Sequence, residues 1–453
     1  MKRILIVAIS IASSLSAYSQ SLDYNDLGLL FSKDDNYGTA RYEAMSGAFG
    51  ALGGDISAFS INPAGSSVSK ISTASATLSN RNTDYLTSYY GNSSSSQNDY
   101  FNLSQAGAIL SFDTAYNSEW NRFALTFNYK IKSDYSSFYS VKGNSGFLFH
   151  SEHFNDTSSP KNKFDGSIEQ GYSVEKSGQS SVFNLGFSAV HQNKLFLGAS
   201  LNFHDIDLSR VALLNEENDD ANGNILKAKN RIDSYIQGNG VSLSLGFLYK
   251  LNKNIRVGLA YETPTWYEEI AEDYKNDLIL SDVSNLGING GSDLISELYI
   301  YRFKSNSRIT ASGAYIFGKQ GLISFDYTYK DYPNIKYREN DTAFIEANQN
   351  FATQFRATHA LNVGTEWRFD RLSIRGGYHY EKNPNLLSAV GGSVNKDNIK
   401  GFSAGLGYNF GNMKIDLSYR KSENLEFQTL YNLGDISLNN NTSRISGTVT
   451  INL

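Results

Sequence analysis

From about residue 69 onward the chain alternates apolar and polar residues in segments of about ten residues. In 241–249, for example, Val241, Leu243 and Leu245 alternate with small polar residues such as Ser242 and Ser244. Successive side chains of a strand point to opposite faces, so each segment predicts a β-strand with one apolar face. We count fourteen such segments, at approximately 69–79, 104–113, 121–132, 180–191, 194–208, 238–250, 254–262, 306–317, 321–332, 357–369, 372–382, 399–410, 413–421 and 442–453.

The connections between these segments alternate between short and long. Short connections such as 192–193 and 411–412 contain the Asn and Gly that tight hairpins require. Long connections such as 80–103 and 422–441 are rich in Asn, Ser and Asp. Long unstructured loops count against a compact soluble domain, whereas short periplasmic turns and long external loops are typical of transmembrane barrels. We therefore predict an all-β fold, a transmembrane antiparallel β-barrel of about fourteen strands.

Two soluble alternatives fit the pattern less well. A β-sandwich would bury the apolar face of every strand, and the sequence offers no covering layer for fourteen of them. A propeller would show a repeat of about 40 residues, which is absent from this sequence. Many segments also end in an aromatic residue, as the interfacial girdle of a membrane barrel requires. These residues are Tyr129, Tyr249, Tyr261, Tyr329, Tyr380, Tyr408 and Phe410.

The N-terminus predicts export. A basic start at 1–3 precedes an apolar run at 4–12 that is too short to span a bilayer, and small residues follow at Ala17 and Ser19. This order is that of a secretory signal peptide, cut between Ser19 and Gln20. We therefore expect residues 1–19 to be a signal peptide and the mature chain to reach the outer membrane of a Gram-negative bacterium.

The composition excludes several classes of site. The 453 residues include no Cys, so disulfides, thiolate metal sites and cysteine nucleophiles are ruled out. A net charge of −5 gives no reason to expect nucleic acid as a partner. The 30 Tyr and 27 Phe are too many for a disordered chain, and charged residues make up only 19%. A large, aromatic-rich β protein agrees with the predicted barrel.

The run from Gly47 to Asp55, leading into Asn62-Pro63-Ala64-Gly65, resembles the N-terminal hatch of the FadL family. Members of this family are outer-membrane transporters of long-chain fatty acids and other hydrophobic compounds. Weaker similarity extends over 255–261, 360–368, 374–378 and Asn383-Pro384. The resemblance implies a plugged barrel, with a hatch at 20–68, a barrel at 69–453, and hatch residues Asn62, Pro63, Ala64 and Gly65 whose displacement opens the path. Without the resemblance, Asn-Pro-Ala-Gly is simply a turn.

Two features depart from the family pattern. The family's lateral exit is a kink in the third strand, yet 121–132 contains neither Gly nor Pro. Either the kink lies in 133–146, near Gly143 and Gly146, or the register differs, or the exit differs. The chain also ends in Leu453, whereas outer-membrane barrels usually end in an aromatic residue.

Candidate chemistry is sparse, and we predict no catalytic residue, no metal and no cofactor. Gly401 to Gly405 matches the G-x-S-x-G nucleophile elbow, but it sits within an alternating strand, which makes Ser403 a small lumen residue. Loop residues His150 and His153 lack the spacing of a metal site. A lumen charge network is predicted on the late strands, either as a structural brace or as a gate or headgroup site. Its members are Glu366, Arg368, Arg375, His379, Glu381, Asp416 and Arg420.

The sequence thus predicts a passive channel that takes up hydrophobic compounds through a plugged barrel. Apolar residues of the external loops are candidates for first ligand capture: Phe147, Leu148, Phe149, Trp266, Tyr267, Leu278, Ile279 and Leu280. Expected partners are a hydrophobic small molecule, outer-membrane lipids and lipopolysaccharide, and the barrel-assembly machinery. Fatty acids, aromatic hydrocarbons and heme-like molecules all remain open as ligands. The alternatives are a structural or adhesive barrel and an outer-membrane hydrolase.

Overall fold

The computed structural model describes residues 24–114, 118–386, 398–431 and 434–453, so the expected signal peptide lies outside the described residues. Eighteen antiparallel strand segments of this part form one sheet. They are β1 (Thr73–Tyr89), β2 (Asn92–Asp113), β3 (Trp120–Asp134), β4 (Ser137–Gly143), β5 (Gly166–His191), β6 (Leu195–Asp219), β7 (Ile225–Lys250), β8 (Ile255–Glu262), β9 (Trp266–Leu280), β10 (Gly291–Lys304), β11 (Arg308–Phe317), β12 (Gly321–Lys330), β13 (Lys336–Tyr337), β14 (Thr358–Phe369), β15 (Leu372–Glu381), β16 (Ile399–Asn409), β17 (Met413–Tyr431) and β18 (Gly434–Asn452).

The sheet closes on itself, because β18 pairs with β1 from Thr73 opposite Asn452 to Ser88 opposite Ser437. Four positions in the wall each hold two consecutive segments: β3 with β4, β8 with β9, β10 with β11, and β12 with β13. The barrel therefore has fourteen positions, and each coincides with one of the fourteen segments predicted from the sequence. The predicted fold class is confirmed.

The alternation of apolar residues changes phase along the longest strands. In β7, Val241, Leu243 and Leu245 point outward and are exposed, and together with Phe247 they belong to an apolar belt around the barrel. Toward the N-terminal end of the same strand the apolar residues point inward, as buried Ile236 shows. Outward apolar residues suit lipid and inward ones suit a protein interior in water, so the phase change marks the outer edge of the lipid belt.

The prediction of long external loops was wrong in large part. Segment 80–103 belongs to a β1–β2 hairpin that turns at Tyr90-Gly91, and 422–441 continues β17 and β18. Five capture candidates likewise lie in a strand, β9, and not in a loop: Trp266, Tyr267, Leu278, Ile279 and Leu280. Outside the membrane the outward face of a strand meets water, so its side chains become polar. In composition, these polar parts of the strands resemble loops.

Helices are few and short. They are α1 (Tyr24–Ser32), α2 (Ala40–Ala44), α3 (Thr342–Gln354) and 3₁₀ turns at Ser57–Ser60, Pro63–Val68, Ser284–Leu286 and Tyr332–Asn334. Among the described residues, no helix is long and apolar enough to cross a membrane. The N-terminal segment runs through the barrel interior: α2 contacts β15 to β18, and the turn at Pro63–Val68 contacts β5 to β7.

Candidate functional site

The turn at Asn62 to Gly65 is pinned to the barrel wall. Asn62 caps it by accepting a hydrogen bond from the backbone N–H of Ala64 at 3.1 Å. The Asn62 side-chain amide donates to the carbonyl of Gly50 at 2.8 Å and to that of Phe247, in β7, at 2.9 Å. One side chain therefore ties the turn both to the rest of the N-terminal segment and to the wall.

Glycines in the wall allow this close approach. A Cβ placed on Gly246 would lie 2.1 Å from Asn62 Oδ1, and one on Gly198 would lie 2.5 Å from the backbone of Pro63. Gly258 faces the carbonyl oxygen of Gly50 at 2.5 Å in the same way. Since real Cβ atoms do not approach other atoms this closely, these three positions on β6, β7 and β8 form a glycine patch that only a backbone can contact.

A second glycine patch lies on β14, β15 and β16. Gly364 and Gly377 face Met45, and Gly405 faces Ala44. Beside them, the Ser403 hydroxyl donates to the carbonyl oxygen of Ala44 at 2.9 Å. Ser403 is thus a lumen-facing residue that binds the N-terminal segment, in agreement with its predicted place on a strand.

Ion pairs join α2 to the wall beside the second patch. Glu366 accepts hydrogen bonds from Arg41 at 2.7 Å and from Arg375 at 2.6 Å, and Arg368 also pairs with it. Arg375 reaches Asp416 at 2.6 Å. Four members of the predicted lumen network therefore form one cluster with Arg41, and three of them, Glu366, Arg375 and Asp416, are buried. Sequence reasoning missed Arg41 because it lies more than 300 residues away in the chain.

The other three members of the predicted network lie apart from this cluster. Glu381 pairs with Lys330 at 2.6 Å, and His379 contacts Asn362 and lies 3.8 Å from Glu381. Arg420 belongs to neither group. The single network predicted from the sequence is thus divided into two clusters, with Arg420 in neither.

A cavity of about 330 Å³ lies inside the barrel beside the N-terminal segment. Its lining mixes aromatic and aliphatic residues, such as Tyr85, Tyr139 and Leu438, with charged residues of both signs. This composition suits an amphiphilic guest, because apolar surface and charged groups are both within reach.

Three arginines stand in register on the cavity wall. Arg444 of β18 lies directly opposite Arg81 of β1 on one side and Arg420 of β17 on the other. Arg444 pairs with Glu43 at 3.1 Å, and Arg81 lies 3.5 Å from Asp134.

Arg420 differs from its two neighbours. It is buried, and no carboxylate of the described residues lies within 4.0 Å of it. It donates a long hydrogen bond, 3.5 Å, to the carbonyl oxygen of Asp35. Because like charges on adjacent strands repel, an anion beside Arg420 would stabilise the row.

The cavity reaches a break in the backbone pairing of the wall, which side chains of β2 bridge: Ser96 and Asn98 donate to the carbonyl oxygen of Phe138 in β4 at 2.6 and 3.1 Å. Strands β2 and β3 pair only as far as Gln105 opposite Lys130, although β2 extends to Asn92. The chain after β3 stays with β5, and Tyr135 and Ser136 separate β3 from β4. Asp134, Tyr135, Ser137 and Tyr139 line the cavity. The irregularity of the third strand lies at Tyr135–Ser136 and not at Gly143 or Gly146. Of the three alternatives left open by the sequence, its position agrees with a kink in 133–146.

The eight capture candidates do not form one surface. Phe149 packs in a cluster with Tyr139 and Tyr172, Tyr267 packs in a second with α1, and Leu278 and Leu280 pack in a third around Phe164. Phe147 and Ile279 are exposed, and Leu148 and Trp266 are half-buried.

The external histidines do not assemble a metal site. His153 is buried, with Nε2 3.1 Å from the carbonyl oxygen of Ser281. Burial lowers the pKa of His150 to about 4, so this ring is neutral at physiological pH. The described part of the chain holds no group of three or more His, Cys, Asp or Glu side chains that could hold a metal ion.

Comparison with solved structures identifies the architecture. A FadL homologue of Pseudomonas aeruginosa superposes with a TM-score of 0.58 at 14% identity, covering 93% of this chain and 99% of that one. The Pseudomonas putida toluene transporter TodX gives 0.55 at 15% identity, with 93% and 100% covered. The Ralstonia pickettii toluene transporter TbuX gives 0.53 at 17%, with 92% and 99% covered.

The chain has the fold of the FadL-like transporters. The fourteen-stranded barrel that the resemblance implied is therefore confirmed. No protein-family model matches the sequence, and no curated protein matches it. At these identities the FadL-like comparison establishes architecture, and the ligand has to be argued from this chain's own residues.

Proposed function

We propose that this chain is a FadL-type outer-membrane channel for the passive uptake of hydrophobic compounds. One observation carries the proposal: a closed barrel holds an N-terminal segment in its interior, beside a cavity that reaches a break in the wall. In this proposal residues 1–19 are the signal peptide, 20–68 the hatch and 69–453 the barrel. The apolar belt contacts outer-membrane lipids and lipopolysaccharide, and the barrel-assembly machinery inserts the barrel.

The path runs from the external end, through the cavity, to the break at Tyr135–Ser136. Outward residues Phe101 and Leu103 lie on β2 beside the break, and Phe101 is 70% exposed. A guest leaving there enters a lipid environment directly. Each methylene moved from water into such surroundings gains about 0.8 kcal/mol, so a long alkyl chain provides its own driving force.

The solved FadL-like structures include a monoaromatic hydrocarbon channel and toluene transporters. The cavity of this chain supports a different ligand, because a buried arginine without a carboxylate partner favours a guest that carries one. We infer that long-chain fatty acids are taken up in preference to neutral aromatic hydrocarbons, with the carboxylate beside Arg420.

Uptake of labelled oleate and labelled toluene into proteoliposomes tests this preference. Arg420→Met should reduce oleate uptake about tenfold, the effect of losing one charged hydrogen bond, while toluene uptake stays the same. Arg371→Met, at an exposed arginine in the β14–β15 turn, is the matched control. Equal loss of both substrates, or no loss of either, would contradict the assignment of the ligand.

Deletion of residues 21–65 tests the plugged channel itself. The deletion should either block uptake or make the membrane leaky to small polar solutes, because the hatch both obstructs and shapes the lumen. Unchanged uptake without a leak would refute the plugged-transporter proposal. This result is distinguishable from a failure of the Arg420 prediction, which concerns only the ligand.

A further inference from the structure

Strand β10 leaves the sheet with one free edge. It pairs with β9 along its length, from Gly291 opposite Leu280 to Lys304 opposite Trp266. On its other side it pairs with the two-residue strand β13 alone, at Phe303 and Lys304. From Ser292 to Ile300, no described strand adjoins this second side.

The free edge lies beyond the lipid belt, on the external side. Ile300 pairs with Ala271, which in turn pairs with Gln237 of β7. Gln237 is four residues beyond Val241, the last outward apolar residue of the belt on that strand. A polypeptide outside the membrane can therefore reach the edge.

The unpaired backbone groups can be assigned. At the C-terminal end of the edge, the backbone N–H of Arg302 donates to the side chain of Glu339 at 3.2 Å. Its carbonyl oxygen accepts from the backbone N–H of Arg338 at 3.1 Å. Both groups of Arg302 thus face away from β9. Backbone direction alternates along an antiparallel strand, so the groups of Ser292, Leu294, Ser296, Leu298 and Ile300 face the same side without a strand to bind them.

The side chains on this edge are apolar and exposed. Leu294, Leu298 and Ile300 point outward and are 63%, 66% and 60% exposed. Ile295, on the opposite face, is also exposed. Proteins ordinarily protect such edges with charges, proline or a covering segment, because an exposed apolar edge recruits another strand.

A second copy in the same membrane cannot occupy the edge by antiparallel pairing. Two identical antiparallel strands in one sheet are related by a two-fold axis perpendicular to that sheet. Here the sheet is the barrel wall, so this axis would lie in the membrane plane and invert the second barrel. A second copy could meet this edge only in parallel, a pairing that is less stable per residue than the antiparallel one. A segment of a different polypeptide can pair antiparallel, and it is therefore the favoured occupant.

Charge defines the chemistry of that segment. Asp293 and Glu297 lie on the β10 face opposite the outward leucines, and neither has a described Lys or Arg within 4.0 Å. No basic residue occurs between Gly291 and Tyr301. A complementary strand would carry Lys or Arg on this face and apolar residues on the other.

We propose that the free edge of β10 binds an extended basic segment of another exported polypeptide, which adds a strand to the sheet. Main-chain hydrogen bonds to Ser292 through Ile300 provide affinity, and alternating apolar and basic side chains provide specificity. The proposal does not depend on what the channel transports.

Fluorescence anisotropy with the detergent-purified full-length chain tests the proposal. The probe is a labelled ten-residue peptide that alternates valine and lysine, and its control replaces lysine by glutamate. The lysine peptide should bind about tenfold or more tightly than the glutamate peptide. Absence of binding up to about 1 mM, or equal binding of the two peptides, would overturn the proposal.

Substitutions in β10 separate strand addition from general charge attraction. Ser296→Pro removes an N–H from the free side only, so it should weaken lysine-peptide binding about tenfold, whereas Ser296→Ala should leave it unchanged. The double change Asp293→Lys and Glu297→Lys should reverse the preference toward the glutamate peptide. Unaltered binding by Ser296→Pro, or no reversal in the double variant, would contradict strand addition.

The absence of native cysteine allows a direct test of the disfavoured occupant. Ser296→Cys should remain monomeric in membranes under oxidising conditions, because the edge is assigned to a segment of a different polypeptide and not to a second copy. Disulfide-linked dimers of this variant would overturn the assignment of the edge to a different polypeptide.

Discussion

A single methyl group at Gly246 is expected to displace the proposed hatch, residues 20–68, from the barrel wall. The Cβ of Gly246→Ala would lie 2.1 Å from Asn62 Oδ1 and 2.8 Å from both Ala64 N and Pro63 Cδ. Ordinary contact begins at 3.4 Å, so the turn has to move by 3.4 − 2.1 = 1.3 Å. Such a shift breaks the two hydrogen bonds that Asn62 donates to Gly50 and Phe247.

The free energy lost on displacement is calculated from those two hydrogen bonds. Each contributes about 1 kcal/mol net, so about 2 kcal/mol of hatch anchoring is lost. This free energy corresponds to a roughly 30-fold rise in the population with the hatch displaced. Single-channel conductance in planar bilayers measures that population as the fraction of time in open events.

The control is Gly313→Ala, because a Cβ there meets nothing within 4 Å on the lipid-facing side of β11. Its open fraction should equal that of the unaltered chain. Asn62→Ala removes these two bonds, and the cap to the N–H of Ala64 as well, without a clash. It should therefore displace the turn at least as much, and combining it with Gly246→Ala should add little. If folded Gly246→Ala conducts no more than Gly313→Ala, the reasoning about the glycine patch is refuted.

Two further predictions concern buried carboxylates. Burial raises the pKa of Glu272, in β9 beyond the lipid belt, to about 7. The folded state therefore binds a proton at Glu272 more tightly than the unfolded state does. The free energy of unfolding should rise by about 3 kcal/mol as the pH falls from 8 to about 4.5. Glu272→Gln should abolish this pH dependence in thermal melts. Glu366→Gln should destabilise the chain by about 3–5 kcal/mol, because it leaves Arg41 and Arg375 without their shared carboxylate. A melting temperature within error of that of Arg371→Met would contradict this second prediction.

The alternation of apolar and polar residues was sufficient to predict the barrel but not the full length of its strands. Strands β6 and β7 extend well past the lipid belt, where outward residues such as Asp205 and Asp207 alternate with inward Ile206 and Leu208. The alternation continues there with its phase reversed. Outward apolar residues end at the belt, whereas the alternation of apolar and polar residues continues to the tips of the strands. The alternation itself, and not its apolar face, therefore indicates the strand length.

The contacts between the proposed hatch and the barrel wall could not be predicted from the sequence, for a different physical reason. The pairs Arg41–Glu366 and Glu43–Arg444 join residues separated by more than 300 positions, and nothing local indicates which wall residue a hatch residue meets. The late-strand charges were identifiable because they occupy the inward, polar positions of alternating strands. Their partners in the hatch were not, because charges in a short irregular segment are ordinarily solvated.

The distribution of charge within the hatch indicates which part moves first. Residues 34–55 hold the wall through ion pairs, such as those of Arg41 and Glu43. Residues 56–68 contain no ionisable side chain, and hydrogen bonds and glycine contacts hold them.

Breaking one buried ion pair by separating its partners costs about 3–5 kcal/mol, whereas releasing a neutral hydrogen bond costs about 1 kcal/mol. We therefore expect the hatch to hinge at α2, with the Asn62 to Gly65 turn leaving β6, β7 and β8. Spin labels at Ser66 and at Ser46 distinguish the two ends, since only the label at Ser66 should gain mobility in Gly246→Ala. Equal mobilisation of both labels would show that the hatch leaves the lumen as one rigid unit.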